Sequence, residues 1–371
     1  MKTLSIFLGI GFLALVSGNA TAQQSVLVLN SSTDTVYKLN AVTGAVVNAN
    51  LISLPSGTPK GIAQVNDKIW IADQIADDIY IYNFDGTLHS TLQGDVVGLD
   101  NIRGLNVVNN EVWVTNAGSG NEATANSIRR LSFSGAPLGY YATVSSPFDV
   151  LDNGTAAFVS SFTSPSDIQI LGYNGTVVGS LFSAPVLANI EQMNFNSDGN
   201  LVVATFANHA ASGNNRGIYV INPATGAILN LYPTPGTSGN AGVLQLGNGN
   251  YLYSNGAGLH ILDSATGTHS SLFSTGAFQY MAKINESPLS VRETEKADFK
   301  VYPNPASDIL YLSARQKIDL VKIYNAEGRL VSSLEAKGSS LEIPVKAMAP
   351  GLYYIEINAG NELKSMKFIK K

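Results

Sequence analysis

The 371-residue chain has four histidines and no cysteine, which leaves few routes to covalent or soft-metal chemistry. Without cysteine there is no thiol nucleophile, zinc ribbon or iron–sulfur ligand set. Oxygen and nitrogen donors remain, at places that recur. Asn30, Asp73, Asn116, Ser161, Asn208, His209 and Asn255 close one family of strand-like runs, and Lys60, Arg103, Asp149 and Glu191 stand near the starts of another. Gathered at one mouth, they would form a polar surface with a few charges. Such a surface can hold a hydrated Ca2+ or Mg2+ through carboxylate, amide and carbonyl oxygens, or a polar ligand such as a sugar. Asp73 and Asn116 are the candidate metal ligands. Ser161, Asn208, Asn255, Arg103 and Arg216 are candidates to contact an organic ligand. The plainer reading is that Asn, Asp and Ser end strands because their side chains bond turn backbone.

His209 with Glu191 is the one pair suited to general-base work or to completing a metal site. His209 lies in ANHAASGNNRG (207–217), the second of two long connections after TNAGSGNEATANS (115–127). No two histidines stand at ligand spacing, and His260, in LHIL, reads as an ordinary strand residue. No GxSxG, P-loop, HExxH or GxGxxG context occurs.

The elements that must carry these residues repeat. VYKLNAVTG, IYIYNFDG, IRRLSFSG, IQILGYNG, IYVINPATG and LHILDSATG each end a β-rich run on a glycine, at Gly44, Gly86, Gly135, Gly175, Gly226 and Gly267. Glycine there supplies the positive φ that a tight strand connection demands. A second family precedes these runs: VLVLN, KIWIAD, EVWVTN, AAFVSS, LVVATF and YLYSN. A third precedes the second: GIAQV, RGLNVV, PFDVL, EQMNF, GVLQL and YMAKI. The turns between third and second families (ND, NN, DNG, NSDG, GNG) are hairpin chemistry. A weaker fourth run follows each glycine. Four strands per unit of about 40 to 50 residues is the period of a β-propeller blade.

The array begins on a second strand (VLVLN) and ends on a lone first strand (FQYMAKIN). Pairing those two gives an all-β fold: a six-bladed β-propeller over residues 23–285 with a composite closing blade and no free edge. Trp70, Trp113 and Phe158 fall at one repeat position and read as packing between blades, with sugar stacking as the functional alternative. SVLVLNSSTDTVYKLNAVTGAVV resembles the YVTN repeat of bacterial and archaeal surface proteins, and GIAQVNDKIWIADQIADDIYIYNFDGTL resembles an NHL repeat. Two enzyme families of this architecture bear comparison. Gluconolactonase-like hydrolases hold a channel cation through Glu, Asn and Asp from different blades. Asn116 and Asp73 resemble part of that set, but the family's Glu-Gly-Pro opening has no counterpart. Streptogramin lyases ring Mg2+ with histidines, and here His209 is a single candidate.

Residues 23–286 hold 8 Lys and Arg against 17 Asp and Glu, whereas 287–371 hold 13 against 10. An acidic main domain excludes nucleic acid, which needs clustered basic residues. The N-terminus, MKTLSIFLGIGFLALVSGNATAQQS, has a basic start, an apolar run too short to span a membrane and a small-x-small site. It reads as a Sec signal peptide, residues 1–22, cut between Ala22 and Gln23, with no membrane span in the mature chain. Residues 286–299 read as a charged linker.

Residues 300–371 read as a separate small β-sandwich. Its VYPNPASDILYL, IYNAEGRLV, MAPGLYYIEI and KSMKFIKK resemble the type A C-terminal sorting domain of the type IX secretion system, through Tyr302, Pro303, Asn304, Pro305, Gly351, Leu352 and Tyr353. That resemblance implies the Sec translocon and type IX machinery as partners. It implies an exported protein, secreted or held on the cell surface after passing through the periplasm, with the sorting domain cut off. The expectation for the propeller is a non-enzymatic binding or adhesion module for a glycan or protein. The alternative is a cation-dependent hydrolase or lyase.

Overall fold

The structure is a computed structural model. It describes residues 23–286 and 299–371, apart from 315–316, 327–328, 337 and 360–361. The expected signal peptide and cleavage residue Ala22, and nearly all of the linker, lie outside the described residues. The chain divides into two compact units, residues 1–288 and 289–371. Among the described residues no helix is long and apolar enough to cross a membrane.

The described part of the first unit holds six four-stranded antiparallel sheets and one short helix, Gly94–Val97. Five sheets are sequential meanders, beginning with Pro59–Val65, Ile102–Val108, Pro147–Asp152, Ala188–Phe195 and Asn240–Gln245. The sixth joins the ends of the unit. Phe278–Glu286 pairs antiparallel with Gln23–Asn30, which pairs with Thr35–Asn40, and Val46–Ser53 completes the sheet. The first strand of each meander packs against that of the next. Asn240–Gln245 packs against Phe278–Glu286, and that strand packs against Pro59–Val65.

Local sequence explains the sheets. The six glycines that end the third strands have φ between 70° and 87°. At Gly86 a Cβ would also lie 2.1 Å from Leu51 O, so space and dihedral both require glycine. Val65 pairs with Lys68 across Asn66-Asp67, and Asn109-Asn110 turns the next hairpin with both residues at positive φ, as a primed turn requires. Trp70, Trp113 and Phe158 are at most 2% exposed. Each sits in a cluster drawn from two neighbouring sheets, Trp70 with Ile102 and Val112, and Trp113 with Val150 and Val159. They fill the space between sheets.

The second unit has a three-stranded and a four-stranded sheet among its described residues. Leu310, Leu312 and Ile343 of the first and Val321, Ile323, Ile355, Ile357 and Phe368 of the second share one core. Asn304 accepts from Ile369 N at 2.9 Å and Ala306 N donates to Ile369 O at 2.8 Å, so the YPNP segment is fastened to the final strand. Tyr353 stacks on Phe368.

Candidate functional site

The first strands share an irregularity that sets the site. In each of the six, one extra residue interrupts the pairing with the second strand at the same place. The interrupted pairs are Lys60-Gly61, Arg103-Gly104, Phe148-Asp149, Glu191-Gln192, Ala241-Gly242 and Gln279-Tyr280. A β-bulge re-aims side chains and frees ladder groups. Second-strand hydroxyls take up some of those groups. Asp149 N donates to Ser160 Oγ and Gly242 N to Ser254 Oγ, and each hydroxyl donates onward to the next sheet, to Glu191 O and Gln279 O. Thr115 Oγ1 reaches Gly104 O and Phe148 O in the same way.

Five of the six leading residues, Lys60, Arg103, Phe148, Glu191 and Gln279, meet one another. Lys60 Nζ lies 2.7 Å from Glu191 Oε2, which ties together two sheets that are not neighbours, and donates to Gln279 Oε1 of the adjacent sheet at 2.8 Å. It also sits over the rings of Phe148 and Tyr280, at 5.0 and 5.3 Å. The Arg103 guanidinium stacks 4.5 Å from the Phe148 ring and donates to Ser146 Oγ and Pro147 O. All of these charged groups are buried. Burial pushes the Glu191 carboxyl up and the Arg103 guanidinium down, while Lys60 and Arg103 pull Glu191 back.

The trailing residue of each pair faces the following first strand. Where it is glycine, backbone fills the space: a Cβ at Gly61 would lie 2.3 Å from Arg103 O, and one at Gly242 2.5 Å from Gln279 O. Where it carries a side chain, that side chain bridges strands. Asp149 Oδ2 accepts from Met193 N at 2.8 Å. Gln192 Oε1 accepts from Val243 N and Met281 N, and its Nε2 donates to Met281 O. Burial pushes the Asp149 carboxyl up to about 8, with Glu191 adding to the shift and the backbone N–H groups of Met193 and Val150 opposing it. Among the described residues the buried Tyr280 Oη has no hydrogen-bond partner, and its pKa is raised by burial and by the carboxyls of Glu191 and Asp149.

Asp149, Gln192 and Tyr280 border a cavity of about 530 Å³. Its other walls come from the far halves of the first strands, among them Leu105, Asn106, Met193, Asn194, Phe195 and Leu244, with Phe133 from a neighbouring turn. It therefore opens away from the ends of the second strands, where the sequence places the site.

The candidates at those strand ends serve turns. Asp73 Oδ1 accepts from the N–H groups of Thr58, Ile75 and Ala76. Asn116 Oδ1 accepts from Asp100 N, and its Nδ2 donates to Gly118 O and Thr124 O. Ser161 Oγ accepts from Asp167 N, Asn30 caps Ser32 N, and Asn255 caps Ala257 N. Asn208 caps Arg216 N, and the Arg216 guanidinium donates to Ser238 O and Gly236 O. His209 Nδ1 lies 2.7 Å from Ser212 Oγ, inside its own loop. His260 stacks on Tyr253 and bonds Ser271 and Asn255. Among the described residues, no three His, Cys, Asp or Glu side chains group as metal ligands. The structure brings together Glu191, Arg103, Lys60 and Asp149 of the sequence candidates. Asp73 and Asn116 stand opposite Pro59 and Ile102, beside Lys60 and Arg103 in register, but their side chains bond their own turns, as His209 bonds its own loop. Nothing in the sequence but their shared repeat position marks Gln192, Gln279 and Tyr280.

Residues 300–371 match the family described as the secretion system C-terminal sorting domain. This segment is a type IX C-terminal sorting domain, and the protein that carries it is secreted or displayed on the cell surface. None of the curated proteins matches the chain significantly. Solved structures do. One is a protein of unknown function from Bacteroides caccae, 15% identical, with a TM-score of 0.53 over 71% of this chain and 100% of that one. Another comes from the crystal structure of a nidogen/laminin complex, 12% identical, with a TM-score of 0.56 over 71% and 100%. At such identities the likeness is one of fold, all-β and propeller-like.

Proposed function

We propose that residues 23–285 form a closed six-bladed β-propeller and that the exported protein uses it as a non-enzymatic binding or adhesion module for a glycan or a protein. Closure is supported by the pairing of Gln23–Asn30 with Phe278–Glu286 and by the unbroken succession of contacts between first strands. Residues 1–22 serve as the Sec signal peptide and 286–299 as the linker at which the sorting domain is removed.

One observation carries the binding reading. Side chains from several first strands converge on a cavity of about 530 Å³, a size typical of small-ligand sites, while the strongest charges beside it, Lys60 and Glu191, are spent on each other. A reaction would need such groups free. The test is to probe the purified protein against a glycan array and a peptide array, then recover the bound ligand and weigh it. Saturable binding with the ligand unchanged is expected, and a cleaved or rearranged ligand would overturn the reading. The hydrolase or lyase alternative draws support from Asp149, since a cavity-lining carboxyl held near 8 has the properties of a general acid.

A further inference from the structure

The cavity wall carries an open cation, and the inference drawn from it rests on the binding reading above. Gln64, Asp152, Gln245 and Lys283 share one repeat position, the same distance along their strands from the bulge. Three of them reach back to the preceding sheet. Gln64 Oε1 accepts from Asn285 N, Asp152 Oδ2 from Asn109 N, and Gln245 Oε1 from Ser197 N. Lys283 does not. Among the described residues its ammonium has no hydrogen bond and no ion pair. It is exposed and lines the cavity, and partial burial pushes its ammonium below the ordinary lysine value.

The buried groups beside the cavity add to this charge and do not cancel it. Lys60 is paired with Glu191, and the hydrogen bonds of the buried Arg103 go to neutral oxygens, Ser146 Oγ and Pro147 O. Asp149, the carboxyl in the lining, is held largely protonated at neutral pH. Three cations, Lys60, Arg103 and Lys283, therefore stand against the single carboxylate of Glu191. Acids flanking the walls are taken up elsewhere: Glu286 by Lys38, Asp67 by Lys68, and Asp152 by Tyr173 Oη and Asn109 N. An acidic domain thus encloses a cationic pocket, where exclusion of water strengthens the attraction for an anion.

The rest of the wall indicates what the anion carries. Asn106 spends its Oδ1 on Val107 N and Asn194 spends its Nδ2 on Val243 O. Among the described residues Asn106 Nδ2 and Asn194 Oδ1 have no hydrogen-bond partner, and both side chains are partly exposed. Phe133 and Phe195 supply apolar surface. A sugar acid brings a carboxylate, hydroxyls that donate and accept, and an apolar face on one ring, whereas a peptide C-terminus brings its carboxylate with few other polar groups. We infer that the cavity takes the uronic acid end of a glycan, with the carboxylate on Lys283, hydroxyls on Asn106 and Asn194, and the ring against Phe133 and Phe195. Lys283 offers a clean test because its ammonium is open and supports no other contact. Lys283→Gln removes an unpaired, partly desolvated charge, so the variant should melt at the same temperature as the parent or higher. It should nonetheless bind about tenfold or more weakly.

The experiment is isothermal titration of the purified protein and of Lys283→Gln, alongside thermal melting of both. The probes are oligosaccharides ending in glucuronic or galacturonic acid, the same oligosaccharides ending in glucose or galactose, and short peptides with free C-termini. Binding of an acidic saccharide in preference to its neutral counterpart, weakened in a variant of undiminished stability, is the expected result. Acidic saccharide binding that Lys283→Gln leaves intact would overturn the assignment of the cavity. Equal binding of the neutral saccharides would overturn the role of charge, and binding of peptides alone would overturn the ligand class, each leaving the protein a binding module. No binding by any probe would overturn the inference. Turnover of a probe would overturn the inference and the binding reading together.

Discussion

Replacing Asp149 by Asn should make the protein more stable at neutral and alkaline pH. The carboxyl is 5% exposed, and burial holds its pKa at about 8, against about 3.9 for an unfolded aspartate. A carboxyl whose folded pKa is raised favours the folded state most when protonated. Its contribution is complete below about pH 4 and is lost as pH rises through about 8. Between those limits the cost grows by about 1.4 kcal/mol per pH unit, reaching about 4 kcal/mol at pH 7. Asn has nearly the same shape, can still accept from Met193 N through its oxygen, and cannot ionise. The assay is urea denaturation of both proteins from pH 4 to pH 9. The difference between them isolates this group from every other titration. The two should agree near pH 4 and diverge steadily above it, with Asp149→Asn ahead by several kcal/mol at pH 8. Parallel profiles, or a variant weaker than the parent at pH 8, would refute the reasoning.

Other perturbations follow from the same geometry. Lys60→Met should destabilise the protein by about 3–5 kcal/mol in urea denaturation, because it leaves Glu191 buried without its counter-charge. Adding Glu191→Leu should restore most of that loss. Gly154→Ala, at φ +84° with open space around it, should cost about 1–2 kcal/mol for the left-handed backbone alone. Gly86→Ala, where the Cβ also meets Leu51 O, should cost clearly more in the same assay. Asp73→Ala should cost about 1–3 kcal/mol by releasing turn N–H groups, and Ca2+ or Mg2+ added after chelation should not raise the melting temperature of the parent. A bound cation at 100 times its dissociation constant would add about 2.7 kcal/mol, so a clear rise abolished by Asp73→Ala would restore the cation site.

Much of the architecture is legible because each repeat needs the same local devices. A glycine must end each third strand since only positive φ makes the connection, and for the same reason the hairpins turn on asparagine (Asn66, Asn109, Asn110) or glycine (Gly154, Gly199, Gly249). VLVLN without a preceding first strand, and FQYMAKIN without a following second, indicate the sheet that joins the two ends. The site is harder to read. Lys60 and Glu191 are 131 residues apart in the chain, and only the shared bulge turns both inward, a backbone feature that no residue type announces. Asp73 and Asn116 have the composition of cation ligands, but the oxygens that would bind an ion are the oxygens that cap turns. Tyr280, in YMAKI, looks like one more alternating strand residue until the bulge places it beside the cavity.

The central claim is that residues 23–286 close on themselves, since the cavity exists only if they do. Gln24 and Asn285 are direct partners across the joining pair of strands, with Gln24 Nε2 donating to Asn285 Oδ1 at 3.0 Å. Paired Cα positions lie within the reach of a disulfide, and the chain has no other cysteine to confuse the result. The measurement is oxidation of the double variant Gln24→Cys, Asn285→Cys, followed by denaturing gel mobility and melting temperature. Closure predicts a near-quantitative intramolecular disulfide and a higher melting temperature. Thiols that stay reduced, or that join only between molecules, would contradict it.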